Sequence, residues 1–315
     1  MPAACRKEIH RPLRNPQVSN RSKGAHTTMK LGVSSYSFSR YVSEGRLDLF
    51  GVIKATAEIG FEGIEFSGFG PTGQGADPIK LAGKVKDACA KAGLTIMSWT
   101  IGADFLANDV DAEIKRLKGE VDIAVALGAP KMRHDATGGF PGRANGLADF
   151  IEALPIVAKG YAGVTEYAAD KGVRTMIENH GFFFQDSDRV EALINKVGNP
   201  NFGALVDIGN FLCADEEPVR AVRRMAPYAF HVHAKDFHVK CPGADPGDGW
   251  FKSRGGTPLR GAIVGHGNVN IKRCIQILKE GGYDGFLSIE FEGMEDNRRA
   301  LEIGIANLKR YTEGL

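Results

Sequence analysis

"VRTMIENHGFFFQDSDRVEALINKVGNPNFGALVD", residues 173–207, reads as a strand, a loop, a helix and a second strand. In "VRTMIEN" (173–179) Val173, Thr175 and Ile177 form one β-branched face, and Arg174, Met176 and Glu178 form the other. "SDRVEALINKVG" (187–198) has helical periodicity and stops at a glycine. The apolar run "FGALVD" (202–207) follows within a few residues. Two strands joined by a helix make a parallel βαβ unit.

The same cycle recurs on both sides. Further strands are expected at 30–36, 63–67, 94–100, 131–135, 229–235 and 286–292. Helical stretches lie between them at 49–60, 77–93, 112–128, 156–172, 216–226 and 269–282, and a last one at 296–311 closes the chain. Eight strand–helix units from Met29 onward predict a single-domain α/β protein, a (β/α)8 TIM barrel over residues 29–315. A doubly wound sheet would carry a glycine-rich phosphate turn after its first strand, and "GVSSYSFSRY" (32–41) is not one. One connection departs from the cycle. Residues 237–268, rich in Gly and Pro, show no periodicity and are expected to form a long structureless loop, a substrate lid or a plain insertion.

Apolar content of 43% and charged content of 25% are those of a soluble globular protein. Residues 1–28 hold six basic residues and one acid, so the overall charge of +2 leaves −3 for the remainder. A mildly acidic body lacks the basic footprint of a nucleic-acid binder. No apolar run reaches the roughly 18–20 residues of a membrane span. The five cysteines form no CxxC pair and read as free thiols of a reducing, cytoplasmic setting. Residues 1–28 have no apolar h-region, and read as a disordered basic tail or as sequence ahead of a true start at Met29.

Strand alternation places one ionisable side chain inward at the C-terminal end of each of the last four strands: Glu178, Asp207, His233 and Glu290. In "AFHVHAKD" (229–236), Phe230, Val232 and Ala234 are expected to face the helices, and His231, His233 and Lys235 the barrel interior. Three carboxylates and an imidazole converging on one spot repel one another unless a cation lies among them. The set predicts one divalent ion, with Mn²⁺ the leading candidate and Co²⁺, Mg²⁺ and Zn²⁺ also compatible. His231, a layer deeper, reads as a supporting or core histidine.

The motifs "MIENHG", "DIGNF", "HVHAKDFH", "VGHGNVN" and "GYDGFLSIEFEG", with the early "YSF" and "GFEGIEFSG", resemble the sugar phosphate isomerase/epimerase family of xylose isomerase-like TIM barrels, from Met29 to the end. The resemblance implies metal ligation by Glu178, Asp207, His233 and Glu290, with Glu178 and Glu290 also moving the substrate proton. It further implies a small sugar or sugar derivative as substrate, and a homo-oligomer for which the chain itself carries no sign. One departure stands out. Ketose 3-epimerases of this type have a histidine three residues after the metal aspartate, where this chain has Asn210.

The chemistry agrees with the resemblance. A metal that polarises a carbonyl stabilises the enediolate left when a neighbouring proton departs, and a carboxylate can remove and return that proton. Isomerisation or epimerisation leads. A lyase, hydratase or dehydratase acting on a keto-sugar, keto-glycoside or inosose is the alternative, and an endonuclease IV-like DNA repair enzyme the third. His180, in "ENHG", is a further catalytic candidate. Glu65, His134, Asn210, Lys235 and His266 are candidates for binding substrate, with Lys235 also able to pair with Asp236. Trp99 and Phe38 read as an apolar wall or as core.

Overall fold

The structure, a computed structural model, describes residues 29–315; the expected basic tail lies outside the described residues. Eight parallel strands close into one barrel: β1 (Leu31–Ser34), β2 (Gly63–Ser67), β3 (Thr95–Ile101), β4 (Lys131–His134), β5 (Arg174–Glu178), β6 (Phe202–Asp207), β7 (Ala229–Ala234) and β11 (Leu287–Ile289). Each pairs with its sequence neighbour in the barrel, and β11 closes the ring between β7 and β1, with Leu287 beside both Leu31 and Val232. This is the (β/α)8 TIM barrel.

The helices alternate with the strands because their apolar stripes and stop signals are in the chain. Helices α2 (Leu49–Ile59), α4 (Val110–Leu127) and α6 (Ser187–Val197) each end on a left-handed glycine, Gly60, Gly128 and Gly198. Asp48, Asp77 and Asp109 cap α2, α3 (Pro78–Lys91) and α4 through their carboxylates. Val33, Ile64, Val206, Val232 and Ile289 on the strands meet Leu117, Val121, Leu193, Ile277 and Leu301 on the helices in one continuous core.

Three local features differ from the sequence reading. Helix α5 (Leu147–Asp170) begins nine residues earlier than expected and contains Pro155. Pro155 is exposed, so the carbonyl left without an amide partner lies on the solvent side. Phe230 does not face the helices. The pairing of β6 with β7 shifts between Ala204 and Leu205, so Ala204 meets Ala229 while Leu205 meets His231. That bulge turns Phe230 into the base of the barrel against Met176 and Leu205. Third, residues 237–268 are not structureless. They complete a small antiparallel sheet of β8 (Asp236–Val239), β10 (Pro258–Ala262) and β9 (Phe251–Lys252), in that order, which packs Phe237 and Leu259 on Cys213. This sheet grows directly out of β7 and stands beside the barrel mouth. No helix among the described residues is long and apolar enough to cross a membrane.

Candidate metal centre

The last four barrel strands end on one spot. Glu178 closes β5, Asp207 closes β6, His233 is the penultimate residue of β7, and Glu290 follows β11 directly. Nδ1 of His233 lies 3.5 Å from Oε1 of Glu178, 3.5 Å from Oδ2 of Asp207 and 3.5 Å from Oε2 of Glu290. One donor atom from each of the four lies within 4.8 Å of every other. Donors about 2.1 Å from a shared ion are roughly 3.0–3.4 Å apart along the edges of an octahedron or tetrahedron, so the three separations from His233 come close to those of a coordination shell. Nδ1 of His233 and Oδ2 of Asp207 are buried and make no hydrogen bond. Buried polar atoms are normally satisfied, and two aimed at one point mark a missing partner. The residues fit a divalent ion.

His233, Asp207 and Glu178 are each held by a neighbour on the atom turned away from the cluster, whereas Glu290 shares its cluster-facing Oε2 with Lys235. Nε2 of His233 is 2.5 Å from Oε1 of Glu65, which fixes the proton on Nε2 and leaves the Nδ1 lone pair for the cluster. The other Glu65 oxygen meets Nε2 of His231 at 2.8 Å. Oδ1 of Asp207 accepts the amides of Gly209 and Asn210, both at 2.8 Å, which turns Oδ2 to the centre. Oε2 of Glu178 pairs with Arg133 at 2.6 Å, and Oε2 of Glu290 with Lys235 at 2.5 Å. Asn210 joins the two sides, donating to Glu178 Oε1 at 3.1 Å and accepting from Lys235 at 3.1 Å.

The charges are unequal. With no ion bound, six carboxylates (Glu65, Asp135, Glu178, Asp207, Glu290, Glu292) face three cations, Arg133, Lys235 and His233. Burial lowers the His233 imidazole, but Glu65 and Glu290 hold it well above its ordinary value. Burial pushes the Glu290 carboxyl up, but Lys235 and His233 outweigh it and hold it well below the usual range. Glu178 is likewise lowered, with burial overcome by Arg133 and His233. Burial lowers Lys235, yet Asp207 and Glu290 hold it well above the ordinary lysine value, so it stays charged. A divalent ion would offset the remaining negative excess.

Residues 53–311 match the family model described as xylose isomerase-like TIM barrel. The chain belongs to this family. Among curated relatives, inosose dehydratase of Clostridium botulinum (strain Alaska E43 / Type E3) is 24% identical over 155 residues, 49% of this chain and 52% of that protein. The match thus spans about half the length of that relative. Among solved structures, the probable 3-DHS dehydratase AsbF of Bacillus anthracis superposes with a TM-score of 0.71 at 20% identity, covering 89% of this chain and 99% of that one. An L-ribulose 3-epimerase superposes at 0.66 with 18% identity, covering 90% and 95%. At these identities the structures show a shared fold.

In this xylose isomerase-like barrel the mouth above the cluster is a cavity of about 280 Å³, lined by Tyr36, Arg133, Asp135, His180, Lys235 and Glu292 besides Glu178 and Glu290 of the cluster. His180 Nδ1 bonds Asp135 Oδ1 at 2.9 Å, and its side chain is 47% exposed. Burial lowers the imidazole, but the Asp135 bond outweighs it and raises its pKa. Asn210, Lys235 and His180 all border the mouth.

Other candidates lie elsewhere. Glu65 is fully buried beneath His233, and its carboxylate is taken up by two histidines rather than open to substrate. His134 is also fully buried, but points the opposite way, stacked on Tyr161 with centroids 4.2 Å apart and edge-on to Phe105. Its β4 neighbours Arg133 and Asp135 take the inward positions expected of it. His266 is exposed on the turn whose Gly265 and Gly267 amides clasp Asp236, and lines neither mouth cavity. Asp236 accepts four amides, so it is not the partner of Lys235. Trp99 bonds Glu120 and packs on Phe69, and Phe38 is fully buried; both belong to the core.

Proposed function

We propose that the protein is a divalent-metal-dependent isomerase or epimerase of a small sugar or sugar derivative, with Glu178, Asp207, His233 and Glu290 as ligands and Mn²⁺ as the leading ion. The observation that carries this reading is the set of three equal 3.5 Å separations from His233 Nδ1 to three carboxylates. The bound ion would supply positive charge opposite the oxygens of a carbonyl and its neighbouring hydroxyl.

The chain's own groups do the rest. Glu178 and Glu290 project from β5 and from the end of β11, strands separated in the ring by β6 and β7, and so border the site from two sides. Each can take a carbon-bound proton and return it. Return to the neighbouring carbon by the same carboxylate gives an isomer, and return to the original carbon by the opposite one gives an epimer. Arg133 and Lys235 hold these carboxylates in place. Lys235 also offers an ammonium to negative charge developing on a substrate oxygen. Addition of D₂O to a panel of aldoses, ketoses and inososes is expected to place deuterium in a recovered sugar, with exchange abolished by chelator. Absence of exchange throughout the panel would count against the reading.

The His180–Asp135 pair favours a second reading. An imidazole with a raised pKa at the mouth can protonate a leaving oxygen, which would make the same site a dehydratase or lyase. Release of water or of an alcohol in place of an isomer would identify it, and His180→Gln would then remove elimination while leaving proton exchange.

A further inference from the structure

A second, larger cavity of about 600 Å³ opens outward from the metal centre and shares Tyr36, His180, Lys235 and Glu292 with the inner one. The inner cavity is at the low end for small-ligand sites and matches a single sugar ring, so the outer space exceeds what a monosaccharide needs. Its wall is apolar where it should be wet. Nine large apolar side chains are exposed among the described residues, and four of them, Tyr36, Phe182, Phe251 and Met294, line this cavity. Scattered exposed apolar groups need no explanation, but convergence of four on one concavity does.

The rim is also built at a cost. Phe182 sits at φ +64, a left-handed conformation uncommon for a bulky residue and strained. Its neighbours fix it there. Gln185 Oε1 accepts the Phe182 amide at 2.6 Å, and Arg254 donates to its carbonyl at 3.2 Å while pairing with Asp186. The ring is left 43% exposed toward the cavity. On the facing side Gly249, at φ +83, admits Met294, whose Sδ would lie 2.6 Å from any Cβ placed there. Arg260, in the same wall, has no acidic partner among the described residues, and its Nε is buried without a hydrogen bond.

Resting on the function proposed above, we infer that the natural substrate is a sugar bearing an aryl or other apolar substituent, with the sugar over the metal and the substituent on Tyr36, Phe182, Phe251 and Met294. Arg260 then meets an oxygen on that substituent.

The test is titration calorimetry on the Mn²⁺-loaded full chain. The probes are free, methyl and 4-nitrophenyl glycosides of the gluco, galacto and xylo series. At least one 4-nitrophenyl glycoside is expected to bind tenfold or more tightly than its methyl counterpart. Phe251→Ala combined with Met294→Ala is expected to remove that advantage with metal content unchanged and the circular dichroism spectrum retained, since neither residue touches the metal cluster. Three results would overturn the inference: no aryl preference in any series, an aryl preference that survives the double substitution, or a mouth shown by cross-linking to be closed by a second copy. Metal content, read on the same samples, separates this from failure of the metal site itself.

Discussion

Glu65 joins two histidines of one strand from across the barrel, and that single residue sets which nitrogen of His233 faces the ligand cluster. Carboxylates that orient a metal histidine are worth about 10–100-fold in metal affinity. Glu65→Gln is therefore expected to weaken Mn²⁺ binding by that factor in a chelator competition, with the circular dichroism spectrum unchanged. Undiminished affinity would show that Glu65 only fills space. His134 behaves differently. Burial depresses its pKa to about 4, so the folded protein holds it neutral where the unfolded chain, near 6.5, would charge it. Between pH 6.5 and 4 the unfolded state binds the extra proton, so stability falls as pH falls through that window, by up to about 3 kcal/mol. Urea titrations of wild type and His134→Gln over this range are expected to show a shallower acid loss in the variant; parallel curves would contradict the assignment.

The elements around the mouth are joined through Asp236 and the turn at Gly265–Gly267. A Cβ on Gly267 would lie 2.2 Å from Oδ1 of Asp236 and 2.5 Å from the Phe237 carbonyl. Gly267→Ala is expected to cost about 1–3 kcal/mol through overpacking, seen as a melting temperature several degrees lower. An unchanged melt would show that the turn is slack. Alternation along single strands sufficed to point Glu178, Asp207, His233 and Glu290 inward, because their opposite faces carry no charged group. It misled on β4, where Lys131, Arg133 and Asp135 alternate with Met132 and His134 and both faces carry polar groups. It misled on Phe230 because a bulge has no mark in the sequence. The pairing of Glu65 with His231 and His233 was illegible because it depends on ring closure, with the partners 166 and 168 residues apart. The sheet in 237–268 was hidden by its Gly and Pro content, which reads as loop even where short strands pair.

At the scale of the whole molecule, the barrel gathers a surplus of buried negative charge at one end and leaves two buried donor atoms without hydrogen bonds there. The fold was legible from the repeated strand–helix cycle. The charge imbalance emerged only when the strands were placed side by side. Binding to the native state alone links metal to stability, so a hundredfold excess of ion over its Kd should add about 2.7 kcal/mol. Melting temperature is accordingly expected to fall on chelation and to recover with Mn²⁺. The most direct measurement is calorimetric titration of Mn²⁺ into chelator-stripped protein, wild type beside Asp207→Asn. The account predicts one tight site per chain in the wild type, and its loss in the variant with the fold retained. No binding by the folded wild type, or equal binding by both proteins, would contradict it.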